Sequence, residues 1–354
     1  MKDKIMTIGF SFIIIFIGLI SFIIKDKDIS FLERRKLVTV SNLSNNFFEK
    51  IEDYLSDQFP FRNELLSINA NYERNILGNK EKNDVYLVDW VVYEKNYPLD
   101  NKSVYDFVEK INYIKNRYFS NNKTYYSVIP DKTYFLEDNK YLKLDFDKIF
   151  DSLNNIESEY INIIPSLEID DYYSTDIHIK QEEWLNILPV FNQKLDFNYY
   201  NINYQTKSFE PFYGASYSKA IKMIKPDKLN YLVNNNQDNL IINHLEYGNK
   251  PLYDPSKLGS IDSYDVFLNG PSSFIEITNP NVSNKELVIF RDSFASSLVP
   301  LLTPYYSKIT LIDLRYISSD LLDNYLKVND NSDVLFLYST LIINNSNILK
   351  VNVK

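Results

Sequence analysis

Residues 287–304 read LVIFRDSFASSLVPLLTP, and the fold turns on how this stretch divides. Residues 287–290 are an apolar run without polar alternation, as a strand buried on both faces requires. Residues 291–293 (RDS) turn the chain, and residues 294–302 predict a helix that Pro304 ends. The pattern then repeats. Residues 309–313 (ITLID) are a second apolar run, residues 318–327 (SSDLLDNYLK) predict another helix, and residues 334–338 (VLFLY) are a third run. Strands alternating with short helices predict a parallel βαβαβ unit, and so an α/β sandwich.

Upstream, residues 124–129 (TYYSVI) predict a strand stopped by Pro130, and residues 103–118 predict a helix with Ser103 at its N-cap. Residues 85–93 are β-like. Residues 44–78 place Phe47, Phe48, Ile51, Tyr54 and Leu55 at helical spacing, break at Phe59-Pro60-Phe61 and resume to Leu77. This predicts a broken helical stalk or cap. Residues 5–24 (IMTIGFSFIIIFIGLISFII) carry no charge over 20 positions. That length makes about 30 Å of helix, the thickness of a hydrocarbon core. A cleaved signal peptide would have a shorter apolar core and a small-residue cleavage site, so the segment reads as an uncleaved anchor lying in the bilayer. Lys2 and Lys4 before it favour an N-inside orientation, with the folded part outside the cytoplasm. The expected division is residues 1–27 as membrane anchor, 28–100 as helical stalk or cap, and 101–354 as the α/β domain.

Composition narrows the chemistry. With 354 residues, 45% of them hydrophobic, the chain can bury a large core. A formal charge of −9 disfavours a nucleic-acid surface, which needs a basic stripe. The absence of cysteine excludes disulfides, thiolate nucleophiles and zinc–thiolate sites. The 29 Tyr and 23 Phe suit a packed core, with a sugar-stacking surface as a lesser use. No metal or organic cofactor is expected.

Only two histidines are present, His178 and His244. His178 lies in the segment Ser174-Thr175-Asp176-Ile177-His178. An Asp two residues before a His can hold the imidazole tautomer that a general base needs. His244 has little chemistry around it and reads as a structural or surface residue. Ser293 follows a predicted strand and opens a helix, at the edge where ligands of open α/β sheets gather. There it is either a nucleophile or, like Asp292, a helix cap. Arg315 ends the next predicted strand on the same edge, either as an anion contact or as a solvated loop residue.

Several segments, in order, resemble the DHHW family of SGNH-hydrolase-like proteins. They are Asp57-Gln58-Phe59-Pro60-Phe61-Arg62, Thr175-Asp176-Ile177-His178, Phe212-Tyr213-Gly214 with Tyr217-Ser218-Lys219, residues 264–270 (YDVFLNG), Asp292-Ser293-Phe294 and Asp313-Leu314-Arg315-Tyr316. The resemblance runs over residues 30–345 and extends to proteins that O-acetylate alginate. It implies an SGNH-like three-layer α/β sandwich with a mostly parallel sheet and a circularly permuted motif order, in which the Asp/His pair precedes the serine. It further implies Ser293 as nucleophile, His178 as base and Asp176 as its orienter, with Arg315, Trp184, Gly214 and Asn269 as substrate or oxyanion contacts. Two departures stand out. The family's His-His-Trp is here Ile177-His178-Ile179, with Trp184 displaced, and Arg291 stands where ordinary SGNH motifs have glycine. The implied activity is an extracytoplasmic O-acyl(acetyl)transferase or esterase acting on a cell-envelope glycan. A multispanning membrane acyltransferase would be its acyl donor. The alternative is a membrane-anchored glycan-binding module with a degenerate site.

Overall fold

The computed structural model describes residues 2–31, 33–45, 47–65, 68, 72, 81–137, 140–220, 224–283 and 285–353. Eight strands form one sheet. In chain order they are β1 (Thr124–Ile129), β2 (Glu159–Tyr160), β3 (Ile241–His244), β4 (Gly248–Asn249), β5 (Phe274–Thr278), β6 (Glu286–Arg291), β7 (Lys308–Ile312) and β8 (Asp333–Ser339). Their spatial order is β4-β3-β5-β7-β6-β8-β1-β2. The run from β7 to β2 is parallel, and beyond β7 the sheet continues antiparallel through β5, β3 and β4.

The apolar runs are strands because both of their faces are covered. Alternate residues point to opposite sides of a strand. Leu287 and Ile289 therefore join one core with Ile309, Leu311, Leu335 and Leu337, while Val288 and Phe290 join the other with Ile312, Val334 and Phe336. The helices Trp184–Leu195 and Ala295–Leu302 supply the first core, and Asn101–Tyr118 with Phe146–Leu153 supply the second. This is a three-layer α/β sandwich with a mostly parallel sheet.

Local expectations shift in three places. The helix expected over residues 318–327 is a short 3-10 turn, Ser319–Asn324. The N-cap of Asn101–Tyr118 is Asp100, whose carboxylate accepts the Ser103 amide at 3.0 Å, while the Ser103 hydroxyl donates to the Ile343 carbonyl. Residues 85–94 form a hairpin, Val85–Val88 with Val91–Glu94, turned by Asp89 and Trp90 in left-handed backbone. That hairpin packs on Ala220, Ile224 and Leu136, so the segment 28–100 is only partly helical.

Toward the N-terminus, Lys2–Ile23 is a helix of 22 residues, long and apolar enough to cross a membrane, and none of its apolar window is buried. Phe47–Asp57 is the helix expected from the spacing of its apolar residues. The expected continuation to Leu77 lies largely outside the described residues.

Candidate active site

Strand β6 ends at Arg291, and Asp292 makes the turn. One Asp292 oxygen accepts the Phe294 amide at 3.0 Å and the other accepts the Ser339 amide at 2.8 Å, which ties the end of β6 to the end of β8. Asp292 thus braces the turn, while the helix Ala295–Leu302 starts after Phe294 with no side-chain cap. The hydroxyl of Ser293 is left for another partner, and that partner is His178, whose Nε2 lies 2.9 Å from Ser293 Oγ.

His178 is held from three sides. Its Nδ1 lies 2.6 Å from Asp176 Oδ1, and the same oxygen accepts the His178 amide at 3.0 Å. Its ring stacks on Tyr264, with centroids 3.8 Å apart and 7° between planes, and Phe294 packs obliquely on it. The Tyr264 hydroxyl donates to Ser297 Oγ, on the helix that Ser293 introduces. Burial alone would push the Asp176 carboxyl up. The charge of His178, its ring hydrogen bond and the amides of Ala215 and His178 reverse this and hold the carboxyl well below the usual range. A carboxylate with those partners fixes the ring so that Nε2 faces Ser293.

The loop carrying Asp176 is itself braced. The Asp227 carboxylate accepts the Ser174 amide at 2.9 Å, the Thr175 amide at 2.7 Å and the Thr175 hydroxyl at 2.5 Å. Lys132, buried, donates to the Tyr173 carbonyl at 2.9 Å, and burial pulls its pKa down to about 8. Sequence reasoning missed Asp227, Lys132 and Tyr264. Asp227 opens a strand among many acidic residues, and nothing local marks it. The signal for Tyr264 was present in YDVFLNG, but a tyrosine in an aromatic-rich chain reads as core.

Ser293 opens into a cleft of about 220 Å³ lined by Tyr264, Asp265, Gly270, Arg291, Asp313 and Arg315, among others. Arg315 grips Asp313 through Nε at 2.9 Å and Nη2 at 2.6 Å. Burial opposes its charge, but the Asp313 hydrogen bonds hold its pKa above the ordinary arginine value. Arg291 is 2% exposed, and Nη1 donates to Ser296 Oγ at 3.0 Å. Its Nε and Nη2 have no hydrogen-bond partner among the described residues. The cleft therefore holds two guanidinium groups beside the serine. Asp265 is pushed up to about 6 by burial and then by Asp262.

The structure brings Ser293, His178, Asp176 and Arg315 together, and places the other three expected contacts elsewhere. Trp184 is fully buried in the core, and its Nε1 donates to Ser297 Oγ at 3.0 Å. It supports the Tyr264–Ser297 contact from behind and does not line the cleft. Gly214 backs Asp176: a Cβ there would lie 2.4 Å from Asp176 Cβ and from the Thr175 carbonyl oxygen. It serves the orienting carboxylate by letting backbone approach closely. Asn269 spends its amide on the Pro251 carbonyl at 2.6 Å and lies beside the cleft residue Gly270 without lining the cleft. His244 is buried in β3 with no hydrogen-bond partner for either ring nitrogen among the described residues, and burial pushes its pKa down to about 4. Among the described residues, no group of three or more His, Asp or Glu is placed to hold a metal ion.

No family model matches the chain, and no curated protein matches it. Solved structures do. A DHHW family protein from Eubacterium siraeum superposes with a TM-score of 0.62 at 20% identity, covering 76% of this chain and 94% of that one. Bacillus cereus PatB1 superposes with a TM-score of 0.60 at 18% identity, covering 73% of this chain and 96% of that one. The chain shares their fold. A structure of PatB1 with a sulfonyl adduct superposes with a TM-score of 0.56 at 17% identity, covering 73% of this chain and 95% of that one. The SGNH-like sandwich expected from the DHHW resemblance is thus the architecture of the chain. At these identities the likeness concerns the fold alone.

Proposed function

We propose that this chain is a serine O-acyltransferase or esterase, anchored in the membrane by its N-terminal helix, that acts on a cell-envelope polysaccharide outside the cytoplasm. The observation that carries the reading is the pair of contacts through one imidazole: Ser293 Oγ at 2.9 Å from Nε2, and Asp176 at 2.6 Å from Nδ1. Both fall within the reach required of a nucleophile, its base and the base's orienter. That closeness supports catalysis over a degenerate binding module.

In the proposed cycle the Ser293 hydroxyl gives its proton to His178 Nε2 while Oγ attacks the acyl carbonyl carbon. The tetrahedral oxyanion develops in the cleft that Arg291 and Arg315 line, where Arg291 keeps two N–H groups without a hydrogen-bond partner among the described residues and Arg315 is already paired with Asp313. The intermediate collapses, the leaving oxygen takes the proton from His178, and the acyl group remains on Ser293. A sugar hydroxyl, or water, then gives its proton to His178 and attacks the acyl carbon. Ser293 Oγ departs and recovers that proton. Asp176 stays ionised throughout and stabilises the imidazolium. A multispanning acyltransferase bringing acyl groups across the bilayer fits a chain with one candidate span among its described residues.

The test is hydrolysis of 4-nitrophenyl acetate by the detergent-solubilised full chain. Wild type should turn over and Ser293→Ala should not. A sulfonyl fluoride should inactivate the wild type and leave its adduct on the peptide containing Ser293. An adduct on another peptide, or full activity in Ser293→Ala, rejects the assignment.

A further inference from the structure

The segment Asp57-Gln58-Phe59-Pro60-Phe61-Arg62 takes no part in the cleft. It packs against the point where the chain leaves the apolar helix. Gln58 accepts the Lys27 amide at 3.0 Å and donates to the Lys27 carbonyl at 3.0 Å and the Val38 carbonyl at 2.8 Å. Asp26 accepts the Val40 amide at 2.7 Å and the Tyr54 hydroxyl at 3.2 Å. Asp57 is buried and takes Arg35 and the Val38 amide, while Arg62 pairs with Glu33 at 2.8 Å. These contacts fix the helix Phe47–Asp57 against the end of the apolar helix.

A collar so fixed would be expected to hide its apolar side chains, yet it presents them. Phe48 is 91% exposed, and Phe47, Leu55, Phe59 and Phe61 are exposed as well. Phe48 and Leu55 are seven positions apart and so share one face of their helix, with the exposed Glu52 at the margin of that face, while Glu49 and Asp53 project to the side. Phe61 is held outward by left-handed backbone at φ 59°, which bulky residues rarely adopt. Ile24, Lys25, Phe59 and Phe61 line one depression, so the Phe59–Phe61 end of this apolar surface is continuous with the exposed apolar helix. Of the nearby acids, Asp26, Glu33 and Asp57 have the partners named above, while Asp28, Glu52 and Asp53 stand exposed. Lys25, Lys27 and Lys36 stand exposed around the junction. Exposed aromatic and aliphatic groups bordered by lysines complement acyl chains bordered by phosphates.

We propose that the collar formed by residues 47–61 lies in the lipid interface and holds the α/β sandwich at a fixed attitude to the bilayer. The inference rests on the anchored reading given above. The occupant of the apolar face is a phospholipid surface: Phe48, Leu55 and Phe61 enter the acyl boundary, and Lys25 and Lys27 meet phosphates.

The chain has no cysteine, so single substitutions can each carry one environment-sensitive label. Phe48→Cys, Leu55→Cys and Phe61→Cys, with Asp53→Cys as the outward control, would be labelled with NBD. The full chain would then be placed in nanodiscs of phosphatidylcholine and phosphatidylglycerol. Replacing the lipid by its brominated form should quench the first three labels roughly two-fold, because an interfacial face sits about 5–10 Å into the acyl boundary, and should spare the control. Labels equally open to aqueous iodide at all four sites would overturn the proposal. So would labels shielded from iodide yet unquenched by bromolipid, since a second copy or another protein would then cover the face. Failure of the chain to co-sediment with vesicles would overturn both the anchored reading and the collar. Hydrolysis of 4-nitrophenyl acetate by the same labelled samples reports folding and the Ser293 chemistry separately, so the catalytic reading survives or fails independently.

Discussion

Around Ser293 the chain turns its apolar residues inward, whereas around residues 47–61 it leaves most of them outside. Leu287, Ile289, Phe290, Phe294 and Leu298 are all buried, and Asp292 among them is matched to partners across the sheet. Phe47, Phe48, Leu55 and Phe61 are exposed, and there the paired groups are the charged and amide side chains Asp57 and Gln58. Both regions are ordered by named hydrogen bonds, so the difference is one of solvent. The sandwich supplies its own apolar phase. The collar is built for one that the chain does not contain. It follows that damage near Ser293 should appear in turnover and in global stability together, and damage in the collar in neither to a comparable degree.

The largest effect expected is at the triad. Ser293→Ala and His178→Ala should each reduce ester hydrolysis by a factor on the order of 10⁶, and the double variant should be little worse, because the residues act as one unit. Asp176→Asn should lose roughly 10⁴-fold, since the imidazole remains but its tautomer is wrong. Single-turnover assays would reveal additive losses if His178 and Ser293 acted separately, and that would break the comparison at its strongest point.

Next is Gly214→Ala. Its Cβ would fall 2.4 Å from Asp176 Cβ and the Thr175 carbonyl, so the loop must move. Overpacking of this kind costs roughly 1–3 kcal/mol, and displacement of the orienting carboxylate should lower kcat on the order of 10²-fold. Thermal unfolding and kcat should fall together. A loss of stability with unchanged kcat would mean that the Asp176–His178 contact tolerates movement of its backing.

Asp265→Asn should have a smaller effect of the opposite sign on stability. Its carboxyl is pushed up to about 6 from an ordinary 3.8, by burial first and Asp262 second. A raised acid favours the folded state when protonated, and that advantage is lost as pH rises through the folded pKa. The asparagine should therefore stabilise the protein by roughly 1–2 kcal/mol at pH 8, after allowance for solvent screening, and by nothing near pH 4. Equal gains at both pH values would exclude charge as the cause.

The smallest effect is expected at Gln58→Ala. Three hydrogen bonds at the mouth of the apolar helix are lost, at a net cost of about 1 kcal/mol because water can replace them. Ester hydrolysis should be unchanged, while limited proteolysis near residues 25–40 should accelerate. A drop in hydrolysis would instead couple the collar to the cleft.

The sequence by itself determined what depends on neighbours along the chain. Apolar runs lacking alternation specified strands covered on both faces, and twenty uncharged positions specified a helix of membrane length, since each pattern is read within one element. Ser293 at a strand-to-helix turn and Asp176 two positions before His178 were legible for the same reason. Tertiary structure decided the rest. It brought together His178 and Ser293, 115 positions apart, and set the Ala215 amide on Asp176 from 39 positions away. It moved Trp184, Gly214 and Asn269 from the expected substrate side to supporting places, and recruited Tyr264, Lys132 and Asp227. The physical reason is common to all of these. A side chain's role follows from which groups meet it after burial, and local periodicity states only which side of an element it leaves.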